Sequence, residues 1–454
     1  LVALIYGEKT EGLCYLGWMA VCLILGFLGS FRKPANTEIY QKDGFVAVAL
    51  AWVVMSVFGA IPFMLTGEIP SFVDALFEIV SGFTTTGSSV LSDVEALSHV
   101  SLFWRSFSHW IGGMGVLVFV LQILPMSSGQ TMHLMRAESP GPSVSKLVPR
   151  IRTTAFFLYG IYVALTVLEI VLLLLGRIPM FDAVCTAFGT AGTGGFGIRS
   201  DSIAGYSPYI QVIVTIFMML FGTNFAFYYL IIAKKVKDAF CMEEVKAYFA
   251  IFTAATLLIA FNILSQMGNV GDSLRHAAFQ VASIMTTTGF ATTDFDQWPE
   301  FSRTLLVMLM FIGACAGSTG GGIKVSRILM YMKTIKKELG ILIHPRSVKI
   351  VMMDGKKLDH PVVRAANIFL ISYAGILVAS ILLLTIDNFD FTTNVTAVIS
   401  ALNNIGPGLS LVGPAGNFAF FSGFSKYVLM FDMLAGRLEI FPMLLLFVPY
   451  TWKK

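Results

Sequence analysis

Apolar runs of about twenty residues recur along this chain, at 12–31, 45–65, 101–124, 154–175, 209–233, 247–265, 304–316, 366–386 and 425–451. A hydrocarbon layer about 30 Å thick takes roughly 20 helical residues to cross. Most of these runs therefore read as membrane-spanning helices. Composition points the same way, because only 13% of the 454 residues are charged, against about 25% in a soluble domain. A water-soluble surface cannot be made from this chain.

Charge in the connecting segments orients the spans. Arg32, Lys33 and Lys42 share one loop, and Arg136, Lys146, Arg150 and Arg152 share the next but one. Lys234, Lys235, Lys237 and Lys246 follow, and 324–364 holds ten Lys/Arg against Glu338, Asp354 and Asp359. These segments are expected to face the cytoplasm. The alternate segments are acidic: 66–100 carries Glu68, Asp74, Glu78, Asp93 and Glu95 with no Lys or Arg, and 290–300 carries Asp294, Asp296 and Glu300. Acidic outer mouths concentrate cations. The net charge of +4 is the positive-inside bias and carries no sign of nucleic-acid binding.

Four outward-facing segments superpose without gaps on one glycine. They read DALFEIVSGFTTTG (74–87), DAVCTAFGTAGTGG (182–195), HAAFQVASIMTTTG (276–289) and TNVTAVISALNNIG (393–406). Each opens on a residue suited to a helix cap (Asp74, Asp182, His276 more poorly, Thr392 or Thr393), continues for eight to ten mostly apolar residues, then turns small and polar. Nine or ten residues reach roughly 15 Å, about half the hydrocarbon layer. The expectation is a half-length helix that enters from outside, stops near the midplane and returns as a loop. Irregular backbone at that depth is tolerated only where it is buried in protein or lines a water-filled cavity.

A desolvated cation needs a ring of oxygens in place of its hydration shell, and backbone carbonyls supply one. Glycine permits the conformations that aim successive carbonyls at one axis. The candidate filter is thus Thr85, Thr86 and Gly87; Thr193, Gly194 and Gly195; Thr287, Thr288 and Gly289; and Asn404, Ile405 and Gly406. The negative ends of the half-helices favour a cation at the same place.

These loops, with HWIGGMG (109–115), GACAGSTGGGIKVSRIL (313–329), NNIGPGLS (403–410) and AGRLEIF (435–441), resemble the Trk/Ktr/HKT superfamily of potassium transporters over nearly the whole chain. The extra N-terminal helix pair, with residues 1–6 read as the tail of a truncated first helix, resembles the bacterial TrkH branch more than the shorter KtrB branch. The resemblance implies potassium as the ion transported and bound in the filter, and a multi-pass protein of the bacterial inner membrane. It also implies a homodimer with one pore per subunit, and a cytosolic nucleotide-binding ring of the TrkA type as partner. No loop carries the G-Y-G of tetrameric potassium channels, so fewer stacked carbonyl rings are expected.

The expected fold is all-α and polytopic: four helix–pore-loop–helix repeats in pseudo-fourfold symmetry about one pore, plus the N-terminal pair. The expected divisions are 1–44 (N-terminal pair and linker), 45–150 (pore loop 74–90), 151–246 (pore loop 182–198), 247–364 (pore loop 276–292) and 365–454 (pore loop 393–410). The third repeat contains a further loop, where five glycines in ten residues, 313–322, will not hold a helix. Helix is expected to resume at Ile323. Gly317, Ser318, Thr319, Gly320, Gly321 and Gly322 with Lys324 and Arg437 form a candidate gate below the filter; close helix packing is the other reading of the glycines. Arg437 lies deep in the last span and is expected to meet loop carbonyls or Asp432, as a positive barrier or as a structural bridge. Lys324 and Arg327 read as an ordinary cytoplasmic flank, with contact to the partner ring as the second reading. Glu78 reads as a brace behind the first loop, His109 with Trp110 as interhelical packing, and Asn224 as a hydrogen bond across helices or a cavity residue.

Other signals lead nowhere. The five cysteines form no C-x-x-C pair and read as packing residues, and no signal peptide is visible. GTGGFG (192–197) and GSTGGGIK (317–324) lack the strand and helix context of a phosphate loop, so no nucleotide site is expected in this chain. Scattered histidines and the absence of a nucleophile motif exclude an enzyme. The alternative transport reading is an alternating-access symporter coupled to H⁺ or Na⁺, and the non-transport reading is a membrane scaffold that docks a partner through 324–364.

Overall fold

The computed structural model describes residues 1–31, 41–115, 151–347 and 349–452. Arg32, Lys33, Arg136, Lys146 and Arg150, part of the charge asymmetry above, lie outside them, as does the end of the 101–124 run. A short α1 (Val2–Tyr6) and α2 (Lys9–Ser30) precede the repeats. The first repeat is α3 (Gln41–Leu65), α4 (Phe72–Phe83) and α5 (His99–Gly113). The second is α6 (Ile151–Leu175), α7 (Met180–Gly192), α8 (Pro208–Phe221), α9 (Phe225–Ile232) and α10 (Val236–Cys241). The third is α11 (Glu243–Met267), α12 (Val270–Met285), α13 (Glu300–Ile312) and α14 (Val325–Ile343), followed by a small antiparallel hairpin, β1 (Met352–Met353) and β2 (Lys356–Lys357). The fourth is α15 (His360–Leu384), α16 (Phe391–Asn403), α17 (Gly423–Arg437) and α18 (Phe441–Leu445).

Length separates three kinds of helix. The first helix of every repeat (α3, α6, α11, α15) has 25 residues, about 38 Å at 1.5 Å per residue, enough to cross the bilayer. The pore helices α4, α7, α12 and α16 have 12, 13, 16 and 13 residues, and at that rise none crosses. The helices that follow the loops (α5, α8, α13, α17) have 15, 14, 13 and 15 residues and also stop short. A break was expected only in the third repeat. The others coincide with single or paired glycines: Gly112 and Gly113 end α5, Gly222 separates α8 from α9 at an 86° bend, and Gly436 lies beside Arg437 at the end of α17.

The pore helices start earlier than their sequences suggest. Their caps are Ser71, Pro179, Asn269 and Asp390, of which Ser71, Asn269 and Asp390 accept a hydrogen bond from the first turn. Asp74 and Asp182 sit inside that turn instead, where the helix dipole favours a carboxylate. Asp74 there receives Lys426 Nζ of α17 at 2.6 Å.

The packing closes on itself. Each pore helix lies against the full-length helix and the post-loop helix of its own repeat and against the post-loop helix of the repeat before it: α4 on α17, α7 on α5, α12 on α8 and α16 on α13. Four such steps return to the start, so the repeats surround one axis. Among the cysteines, Cys185 and Cys315 are buried as packing residues, whereas Cys241 is exposed on α10, a departure from expectation.

Candidate ion pathway

Each pore helix ends in the same backbone turn. Thr85, Thr193, Thr287 and Asn404 take left-handed φ of 56°, 53°, 57° and 56°, and the anchors Gly87, Gly195, Gly289 and Gly406 take 84°, 73°, 86° and 101°. Between them, the amides of Thr86, Gly194, Thr288 and Ile405 donate back to the helix at Ser81, Gly189, Ser283 and Ser400, at 2.9, 2.8, 2.8 and 3.0 Å. Donors are thereby used up inside each loop and carbonyls are left over.

Those carbonyls lie at the joints between loops. A Cβ on Gly87 would strike the Gly194 oxygen, one on Gly195 that of Thr288, one on Gly289 that of Ile405, and one on Gly406 that of Thr86. The sequence of contacts runs once round the four loops and closes. All four carbonyl-bearing residues are buried, and among the described residues no hydrogen bond ends on these oxygens. Buried carbonyls without a protein donor are rare in folded chains, and a cation is the partner that four of them share most readily. Side chains stiffen the ring: Thr84 and Thr86 hydroxyls pair at 2.8 Å, as do Thr286 and Thr288, and Asn404 Nδ2 donates to Thr86 Oγ1 at 3.0 Å.

Behind the first loop lies a buried ion pair that the sequence did not reveal. Glu78, fully buried, receives Arg105 Nε at 2.8 Å, the Val90 amide at 3.0 Å and the Ser89 hydroxyl at 3.0 Å. Arg105 also stacks over Phe196, 4.1 Å from the ring centre, in the second loop. The brace expected of Glu78 thus reaches two loops through Arg105. His109 does the same on the other side. Its Nδ1 donates to the Gly82 carbonyl at 2.7 Å while Nε2 accepts the Phe196 amide at 3.2 Å, which fixes the tautomer and joins α4 to the second loop.

Beneath the candidate filter, Gly313–Lys324 replaces helix with a loop, and helix resumes at Val325, not Ile323. The Gly321 amide donates to Thr287 Oγ1 at 2.6 Å, and a Cβ on Gly320 would press on the Thr286 carbonyl, so the loop tip touches the underside of the third pore loop. Arg437 donates to the Thr319 carbonyl at 2.7 Å and to the carbonyls of Gly113, at 2.8 Å, and Gly112. Asp432 instead accepts from Ser380 at 2.7 Å. Lys324 is no cytoplasmic flank: it is buried, with φ 86°, and its Nζ donates to the Gly320 carbonyl. Arg327 is buried as well, paired with Glu439 and lying over Phe369. Positive charge that looked like a membrane flank is folded back under the loop. Asn224 proves to be the cap of α9 and a donor to Glu244 across helices.

Four loops let into the membrane by half-length helices, meeting around one axis, define a polytopic pore-loop membrane protein. The chain belongs to the TrkH family, whose sequence model, described as a cation transport protein, matches residues 15–454. It is 37% identical to the Trk system potassium uptake protein TrkH of Salmonella typhimurium, over 100% of this chain and 95% of that one. It is 33% identical to the Trk system potassium uptake protein TrkG of Escherichia coli K12, over 100% and 94%. The crystal structure of the potassium transporter TrkH from Vibrio parahaemolyticus superposes with a TM-score of 0.88 at 35% identity, over 100% and 95%. The family is one of potassium uptake transporters and not of enzymes, and the chain is a multi-pass protein of the bacterial inner membrane.

Proposed function

We propose that this chain passes potassium ions through a channel-like pore whose filter is the ring of carbonyls at Thr86, Gly194, Thr288 and Ile405, flanked by Thr85, Thr193, Thr287, Asn404 and the four anchor glycines. The observation that carries this reading is the closed circuit of contacts, in which each anchor glycine abuts the free carbonyl of the next loop. A bilobed carrier with two repeats would not need four such joints. The loop from Gly317 to Gly322, tied by Lys324 and Arg437, is the gate on the cytoplasmic side of that filter, and it must leave the axis for an ion to pass. The half-helix dipoles and the acidic outer segments draw the cation inward. Potassium here is cargo, held transiently by the filter.

Assembly as a homodimer and regulation by a cytosolic nucleotide-binding ring belong to the same proposal. The lysine-lined cytoplasmic face at Lys333, Lys336, Lys337 and Lys349 suits an acidic docking surface on such a partner. The filter is tested by rubidium flux into proteoliposomes for Gly87→Ala, Gly195→Ala, Gly289→Ala and Gly406→Ala. A Cβ in the left-handed region costs roughly 1–2 kcal/mol and collides with a carbonyl besides, so each variant is expected to lose at least about tenfold in flux or to admit sodium. Normal flux and normal discrimination in all four folded variants would refute the filter assignment.

A further inference from the structure

The intramembrane loop is fastened at its root as well as at its tip. Glu244, the second residue of α11, is 4% exposed. Its Oε1 accepts the amide of Ala316 at 2.6 Å and that of Ser326 at 3.2 Å, so a single oxygen ties the outgoing limb of the loop to the returning one. Its Oε2 accepts from Asn224 Nδ2 at 3.2 Å. Asn224 stands in the 86° bend of the second repeat and caps α9, its Oδ1 taking the Ala226 amide at 2.9 Å. Three backbone bonds join the same parts, from Cys315 to the Gly222 carbonyl and from Phe225 to the Gly317 carbonyl, each at 3.0 Å, and from Thr319 to the Phe221 carbonyl at 3.4 Å.

A buried carboxylate is tolerated when charge-assisted donors surround it, and losing one of them is costly. Glu244 has three, and all belong to segments that must part if the loop is to move. The loop limbs are also bonded to each other, Lys324 N–H to the Ile312 carbonyl at 2.9 Å, so the loop moves as a unit. Its attachment to the second repeat then resists displacement alongside the bonds of its tip to Arg437 and Thr287. We infer that Glu244 and Asn224 form a latch that holds the loop under the filter, and that shifting α9 releases it. Through this latch the second repeat, which contributes no residue to the candidate gate, controls it. Glu244 acts here as a positioning residue, on the assumption that the loop is the gate.

A charge-swap cycle tests the latch. Glu244→Gln turns an amide donor toward the Asn224 donor, and Asn224→Asp sets two carboxylates face to face. Glu244→Gln with Asn224→Asp restores a donor opposite an acceptor and keeps the α9 cap. Open probability is read by single-channel recording in planar bilayers, and the potassium-to-sodium permeability ratio serves as the filter control. Each single variant is expected to raise open probability at least about fivefold with the ratio unchanged, and the double variant to return it to within about twofold of wild type. If either single variant fails to fold, the other with the double completes the comparison. Open probability unchanged in the folded single variants, or no recovery in the double, overturns the latch. A chain shortened by deleting Ser318–Gly320 separates the two readings. If it opens while the swap has no effect, the loop gates without this latch; if it too leaves open probability unchanged, the gate reading itself falls.

Discussion

At the scale of single residues, the charges inside the membrane are spent on holding loops in place. Glu78 and Arg105 are both buried and meet at 2.7 Å. A buried pair is a weak source of net stability, but removing one member leaves an uncompensated charge, at about 3–5 kcal/mol. Arg105→Ala is therefore expected to lower thermal stability in detergent by that amount and to loosen both loops it touches. Lys337→Ala, which removes a pair to the exposed Glu338 at 3.3 Å, should stay within about 1 kcal/mol of wild type. Equal effects of the two would mean that Arg105 is not the brace. Little of this was legible in the sequence. Glu78 stood out because the other loops carry Thr186, Gln280 and Ala397 in its place, but Arg105 lies 27 residues away and has no local signature. Lys324 was misread for a related reason: a lysine at the start of a basic stretch follows the positive-inside pattern, and only the fold turns it back toward Gly320. Glu244 was invisible among the cytoplasmic lysines around it.

At the scale of elements, the pore helices depend on their outer ends. Asp390 caps α16, accepting from the Thr393 amide at 2.9 Å, and the Thr393 hydroxyl and amide together hold its carboxyl below the usual carboxylate range. A folded-state pKa that is depressed contributes stability above the unfolded value and loses it as pH falls through the folded one. Asp390→Ala is thus expected to cost about 1 kcal/mol at neutral pH, with the gap to wild type closing on acidification. Melting curves from neutral to strongly acidic pH check this, and a gap independent of pH would show that the cap does not act through its charge. The sequence placed this helix and its three counterparts correctly but started them late: Asp74 and Asp182, acidic residues in the first turn, resemble caps, while His276 and Thr392 or Thr393 lie downstream of the true caps Asn269 and Asp390. The breaks in α5, α8 and α17 were missed because one or two glycines in an apolar run are compatible with a spanning helix, whereas five in ten at 313–322 are not.

At the scale of the whole molecule, the repeat is a unit of three lengths: a full span, a half span, and a second partial span that stops beneath the proposed filter. The fourfold arrangement was legible because left-handed turns demand glycine at one register in all four loops, a constraint that survives when the remaining side chains diverge. The joints between loops were not legible, since three of them link residues roughly a hundred positions apart and the fourth joins Gly406 back to Thr86 across most of the chain. Those joints carry the central claim, that Thr86, Gly194, Thr288 and Ile405 present their carbonyls to one ion. The most direct measurement is anomalous scattering from rubidium in crystals of the protein grown or soaked with that ion. An anomalous peak is expected on the axis, within coordination distance of all four carbonyls, that disappears when sodium replaces rubidium. Rubidium bound only elsewhere, with these four oxygens uncoordinated in an otherwise ordered filter, would contradict it.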